Sequence, residues 1–231
     1  MNTLQLISAG AAQALVTRSQ ERFKALHGDV IEPTFGAVGL MKDKLLAGAP
    51  CDVLILTDAL IAQLTASGQL ADGTARALGV VKTGIAVKTG EARPAVATRA
   101  ELKAALQAAN GIYFPDAVKS TAGIHFMNVL KQLGLDQELA DRLRTYPNGA
   151  AAMTAMANSS EKGLLGCTQD TEILYIEGVD LIADLPKEFE LATVYTAAVC
   201  TGAKAPEAAA VLIGLLAGAE SASLRVACGF E

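Results

Sequence analysis

Along this chain the period of the apolar positions keeps switching between that of a strand and that of a helix. Leu4 to Ser8 reads as a strand and Ala11 to Leu26 as a helix. Asp29 to Phe35 predicts a strand, Val38 to Ala47 a helix, and Asp52 to Leu56 a buried strand. Asp58 is expected to cap a helix running through Leu64. Gly79 to Val87 is a long β-rich run, Thr98 is expected to cap a helix over 99–108, and Ile112 to Phe114 is a short strand. A helix runs from Ser120 through Leu133 and is closed by Gly134, with two more helices over roughly 137–144 and 149–158. Leu164 to Cys167, Val179 to Ala183 and Ala192 to Val199 are strands, and helices over 206–217 and 221–227 follow.

Strand and helix alternate throughout, so the expected fold class is α/β, with a parallel-rich sheet covered by helices on both faces. The two long β-rich runs, near 80–87 and 192–199, are the expected crossings between two lobes. Lobe one is then 1–82 with 196–231 and lobe two is 83–195, with a ligand cleft expected between them.

Composition narrows the function. The chain has 231 residues, 52% hydrophobic but only 4% aromatic, so the interior is aliphatic. A net charge of −5 with no Lys/Arg block disfavours nucleic acid as a partner. No apolar run reaches the roughly 18 residues of a membrane span. Met1 stands just before the strand-like TLQLIS with no basic segment. The expected location is cytoplasmic if that start is native, and periplasmic if a signal peptide has been removed. Cys51, Cys167, Cys200 and Cys228 form no CxxC pair, so no zinc site is expected, and they read as buried reduced thiols. No cofactor is expected.

Three strand-to-helix turns stand out: LISAGAAQAL (Leu6 to Leu15), FGAVGLMKDKL (Phe35 to Leu45) and PDAVKSTAGIHF (Pro115 to Phe126). A small-residue turn opening a helix leaves backbone N–H groups unpaired, and these favour an anion. The same turns also serve simply for tight βα packing. Three of them in one chain point to a shared anion site. GCTQDTEIL (Gly166 to Leu174) is a fourth polar cluster.

The run from FGAVGLMKDKLLAGAPCDVLIL to TASGQL resembles the periplasmic molybdate-binding proteins, which are type II solute-binding proteins. DAVKSTAGIHFMNVLKQLGL and the closing CGF are similar too, so the resemblance covers nearly the whole chain. It implies the type II periplasmic-binding-protein fold: two Rossmann-like α/β lobes joined by a hinge, around a small anionic ligand. It also implies an ABC transporter as partner if the protein is exported. Where that family has oxyanion-binding serines, this chain has Gly10 in the first turn and Ala37 and Val38 in the second. Ser8-Ala9-Gly10, the serine-free second turn, and Gly166, Gln169, Thr171 and Glu172 are similar instead to the aconitate isomerase branch. The resemblance therefore implies a carboxylate binder, with an isomerase of an unsaturated polycarboxylate and a molybdate or tungstate binder as alternatives.

The candidate ligand-binding residues are Ser8, Gly10, Val38, Gly39, Lys119, Ser120, Thr121, Gln169 and Thr171. For the isomerase alternative the catalytic candidates are Lys119 and Glu172. Each has an ordinary role beside the functional one. Ser8, Ser120 and Thr121 read as helix caps, Lys119 and Glu172 as surface charges, and Asp116 as an Asx turn. His125 reads as a packed helix residue, His27 as a partner for a helix C-terminus, and Cys167 as structural.

Overall fold

The computed structural model describes residues 3–231. In chain order the elements are β1 (Thr3–Ala9), α1 (Gln13–His27), β2 (Val30–Gly36), α2 (Val38–Leu46), β3 (Val53–Thr57) and α3 (Asp58–Ala66). Then come β4 (Arg76–Lys88), α4 (Arg99–Ala108), β5 (Gly111–Pro115), α5 (Thr121–Leu133), β6 (Leu143–Tyr146) and α6 (Gly149–Asn158). The chain continues through β7 (Leu164–Gln169), α7 (Asp170–Tyr175), β8 (Val179–Asp184), β9 (Ala192–Val199), α8 (Pro206–Ala217) and α9 (Ala222–Ala227). Two compact units result: Met1–Val81 with Thr193–Glu231, and Lys82–Ala192.

In unit one the strand order is β2-β1-β3-β9. β1 is parallel to β2 and β3, and β9 runs antiparallel to β3. Val53, Leu54, Ile55 and Leu56 of β3 are all buried, as a strand covered on both faces must be. Helix α8 adds Leu212, Ile213, Leu215 and Leu216 to this core. In unit two β5 lies between β6 and β7, parallel to both, while β4 pairs antiparallel with β7 and β8. Its core gathers Phe126, Val129, Leu130 and Leu133 from one face of α5. Phe126 meets Phe114 edge to face at 5.3 Å, and each such side chain contributes about 1.5–3 kcal/mol on burial. Among the described residues no single helix is long and apolar enough to cross a membrane.

The local signals at several caps read correctly. Thr98 and Glu101 form a reciprocal capping box on α4, Ser120 accepts from Gly123 N–H at the start of α5, and Gly134 closes α5 in the left-handed region. Four expectations are corrected. The helix expected over 137–144 is a short 3-10 turn, Ala140–Arg142, followed by strand β6. Pairing with β5, Leu143 opposite Ile112, overrides the helical spacing there. Asp58 is the first residue of α3 rather than its cap, and its carboxylate accepts the Thr196 hydroxyl at 2.9 Å. The first helix opens with a 3-10 turn, Gly10–Ala12, before α1. Ser8 caps nothing: its hydroxyl donates to the Ala9 carbonyl at 2.8 Å.

Candidate functional site

Unit one gathers four of the candidates at one sheet edge. β1 and β2 are parallel and end level, Ala9 opposite Gly36, so the turns that follow them start side by side. Ser8 and Gly10 belong to the first turn and are buried. Val38 and Gly39 are the first two residues of α2, whose cap Ala37 carries no hydrogen-bonding side chain. The first intrahelical bond there is from Met41 N–H to the Ala37 carbonyl at 2.9 Å. Helix geometry therefore leaves the N–H groups of Val38, Gly39 and Leu40 outside the ladder.

Unit two gathers the rest at the ends of β5 and β7. These strands run parallel with Tyr113 opposite Gly166, which brings their C-terminal ends to one edge. After β5, Asp116 Oδ1 accepts from the N–H groups of Val118 and Lys119 at 2.7 and 2.8 Å, an Asx turn. The turn delivers an exposed Lys119, then Ser120 as the helix cap and a half-buried Thr121. His125 is turned away from chemistry, with Nε2 2.7 Å from the Phe189 carbonyl.

After β7 the chain does something unusual. Thr168, Gln169, Asp170, Thr171 and Glu172 are consecutive, polar and all buried. Residues of these types are mostly exposed, so five in a row require partners. Two of them have partners in each other: Thr168 Oγ1 donates to Glu172 Oε2 at 2.6 Å. Glu172 also takes the N–H groups of Gly149, Ala150 and Gln169, so it ties α7 to the first turn of α6. Gly149 is required at this point, because a Cβ there would lie 2.0 Å from both Glu172 Oε2 and Thr168 Oγ1.

Gln169 and Thr171 differ. Gln169 is 3% exposed and Thr171 1%, yet neither Oε1 nor Nε2 of Gln169, nor Oγ1 of Thr171, has a partner among the described residues. Thr83, directly opposite Gln169 across the β4–β7 ladder, has a buried hydroxyl in the same condition. A buried polar atom left unpaired costs about 1–3 kcal/mol, and the usual remedy is a bound group. Three side chains in this state at one strand end make this a candidate ligand site. Thr83 is not legible as a site residue in the sequence, because it lies inside a β-rich run and its neighbour Gln169 is distant along the chain. Cys167, just upstream, has its thiol pushed well up by burial and then by Asp170, which suits a structural thiol.

Burial raises the Glu172 carboxyl above its ordinary value of 4.5, against the pull of Thr168 and the three N–H groups. The folded chain then holds this proton more tightly than the unfolded chain. The associated stability is complete below the ordinary carboxylate range and is lost as pH rises through the folded pKa. Glu172→Gln removes the titration. It is expected to flatten the dependence of the urea midpoint on pH above 4.5, whatever it does to the midpoint itself. An unaltered slope would exclude Glu172 as its source.

Comparison with known proteins agrees with this architecture. Residues 4–231 match the protein family described as bacterial extracellular solute-binding protein. The periplasmic molybdate-binding protein of Azotobacter vinelandii superposes with a TM-score of 0.80 at 16% identity, covering 99% of this chain and 98% of that one. The sulfate-binding protein SubI of Mycobacterium tuberculosis superposes with a TM-score of 0.75 at 15% identity, covering 100% and 86%. These likenesses establish the type II periplasmic-binding-protein fold. A Pseudomonas aconitate isomerase is 23% identical over 228 residues, 96% of this chain and 85% of the isomerase.

Proposed function

Because this chain belongs to the family of bacterial extracellular solute-binding proteins, we propose that it binds a small carboxylate. The observation that carries the reading is the buried Gln169 amide, whose donor and acceptor both lack partners. An amide offers one acceptor and two donors. A fully deprotonated tetrahedral oxyanion offers only acceptors and would leave Oε1 unsatisfied. A hydroxycarboxylate offers both, its hydroxyl donating to Oε1 while its carboxylate oxygens accept from Nε2. Unit one, taken by itself, offers an anion backbone N–H groups and not hydroxyls: beyond Ser8 its two turns present Gly10, Ala37 and Val38.

The test is a thermal-shift and calorimetry panel of citrate, cis- and trans-aconitate and smaller dicarboxylates against molybdate, tungstate and sulfate. A ligand selective for the folded state raises the melting temperature. The expected result is a shift with a carboxylate and none with the oxyanions; the reverse overturns the reading. Gln169→Ala is expected to weaken the carboxylate hit by about 10- to 100-fold, the loss of roughly 1.4–2.8 kcal/mol of hydrogen bonding.

The likeness to an aconitate isomerase over 96% of the chain favours a second reading, catalysis on the bound ligand. In that reading both catalytic candidates stand: Lys119 is exposed after β5, and the Glu172 carboxyl is buried, with its pKa raised by that burial. NMR of the bound hit in D₂O distinguishes them: an isomer carrying deuterium means an enzyme, and an unchanged ligand means a binder.

A further inference from the structure

Cys51 and Cys200 lie far apart in sequence and meet in unit one. Cys51 stands just before β3 and Cys200 just after β9. These strands are antiparallel with Val53 opposite Val199, and Cys200 N–H donates to the Asp52 carbonyl at 2.9 Å. Cys200 is therefore one residue out of step with Cys51 on the adjoining strand. Neighbouring strands are about 4.8 Å apart, and disulfides join Cα atoms about 4.4–6.8 Å apart. The side chains point together as well: the Cys200 thiol hydrogen-bonds to Cys51, and Cys51 Sγ in turn donates to the Val53 carbonyl at 3.1 Å.

The two thiols differ in access. Cys51 lines a cavity of about 410 Å³ whose walls include Thr3, Glu32, Pro50 and Lys204. Cys200 is not among its lining residues, and the bond with Cys51, followed by burial, pushes its thiol well above the ordinary range. The other cysteines are placed differently. Cys167 is in the core of unit two, and Cys228 accepts a long contact from Arg18 Nη1 at 3.7 Å.

We propose that Cys51 and Cys200 are a covalent modification site, a thiol pair that closes to a disulfide when a low-molecular-weight disulfide enters the cavity beside Cys51. Cys51, as thiolate, attacks one sulfur of the incoming disulfide and expels one thiolate, forming a mixed disulfide. Cys200 then gives up its proton and attacks the Cys51 sulfur, expelling the second thiolate. The two departing thiolates take up the two protons. The chain loses two electrons and the small disulfide is reduced to two thiols.

The test is incubation of the reduced full-length chain with oxidised glutathione for several hours, then denaturation, alkylation of free thiols and mass spectrometry. Two of the four thiols should be lost, in one peptide pair joining Cys51 to Cys200, with no retained glutathione. The oxidised chain should melt roughly 5–10 °C higher, because the bridge closes a long loop of the unfolded chain. Cys51→Ser and Cys200→Ser should each abolish the joined peptides. Four free thiols after oxidation, a stable glutathione adduct on Cys51 with Cys200 free, or a bridge to Cys167 or Cys228 would each overturn the proposal. Peptide mapping of the unsubstituted chain decides it even where a variant folds poorly.

Discussion

Gly123→Ala is expected to cost the protein more than about 4 kcal/mol, enough to abolish folding of unit two or to leave it in inclusion bodies. Two effects oppose each other. Alanine in a helix is favoured over glycine by up to about 1 kcal/mol. Against that, a Cβ at position 123 would stand 2.2 Å from the Asp116 carbonyl oxygen and 2.3 Å from that of Pro115. These are backbone atoms, so no side chain can swing aside. The Asp116 carbonyl also accepts the Ser120 N–H at 3.1 Å, which fixes the turn against the helix. Relief requires α5 to move off β5, and α5 carries Phe126, Val129, Leu130 and Leu133 into the core. Overpacking of this kind, with a backbone shift, lies at the upper end of single-residue effects. Gly214→Ala is the control: it sits in α8 with nothing within 4 Å of the new Cβ, and should be neutral or slightly stabilising. Solubility, far-UV circular dichroism and urea midpoints of the two variants compare them directly. A soluble Gly123→Ala protein with an unshifted midpoint would show that β5 and α5 are not held this closely.

Asp52→Ala is expected to cost about 3–5 kcal/mol and to lower the melting temperature by roughly 10 °C. Asp52 is 3% exposed, and its carboxylate accepts three backbone N–H groups: Gln5 at 2.8 Å, Lys204 at 2.6 Å and Ala205 at 3.1 Å. It therefore joins β1, β3 and the entry to α8. Helix α8 has Ala205 at its cap and no capping side chain of its own, so Asp52 supplies from another strand what a local serine or aspartate would. Alanine would leave all three donors unpaired, while hydrogen bonds to a charged acceptor are each worth about 1.5–3 kcal/mol and overlap when removed together. Asp52→Asn should cost about half as much, since one oxygen can still take Lys204 and Ala205 while the amide faces the Gln5 N–H. A loss under about 1 kcal/mol for alanine would mean that water replaces the carboxylate.

What could be read from the sequence follows from how local each feature is. The capping box of Thr98 and Glu101, the Ser120 cap and the Gly134 stop are decided within four residues, and the sequence shows them. β6 reads as helix because Leu135, Leu139 and Leu143 repeat at helical spacing, and only the pairing of Leu143 with Ile112 makes it a strand. α7 is not legible because it has only six residues, of which Asp170, Thr171 and Glu172 are polar yet buried, so it displays no amphipathic pattern. The candidate site divides in the same way. Gln169 and Thr171 stand in a visible polar run. That they lack partners, and that Thr83 shares the condition, depends on strand pairing that no local pattern encodes.

The chain's two units also differ in when they can be completed. Unit two is one continuous stretch, Lys82–Ala192, whereas unit one needs residues from both sides of it. On a ribosome, β1, β2 and β3 emerge first, and β9, the strand that covers the open side of β3, arrives only after roughly 135 more residues. At about 5–20 residues per second that is a wait of roughly 7–27 s. For that interval Val53, Leu54, Ile55 and Leu56 present an uncovered apolar strand edge, the kind of segment to which other nascent chains add. Unit two, by contrast, can finish folding while unit one is still waiting. Slower elongation through Lys82–Ala192 should therefore lower the soluble yield through unit one, even though the residues being delayed belong to the other unit.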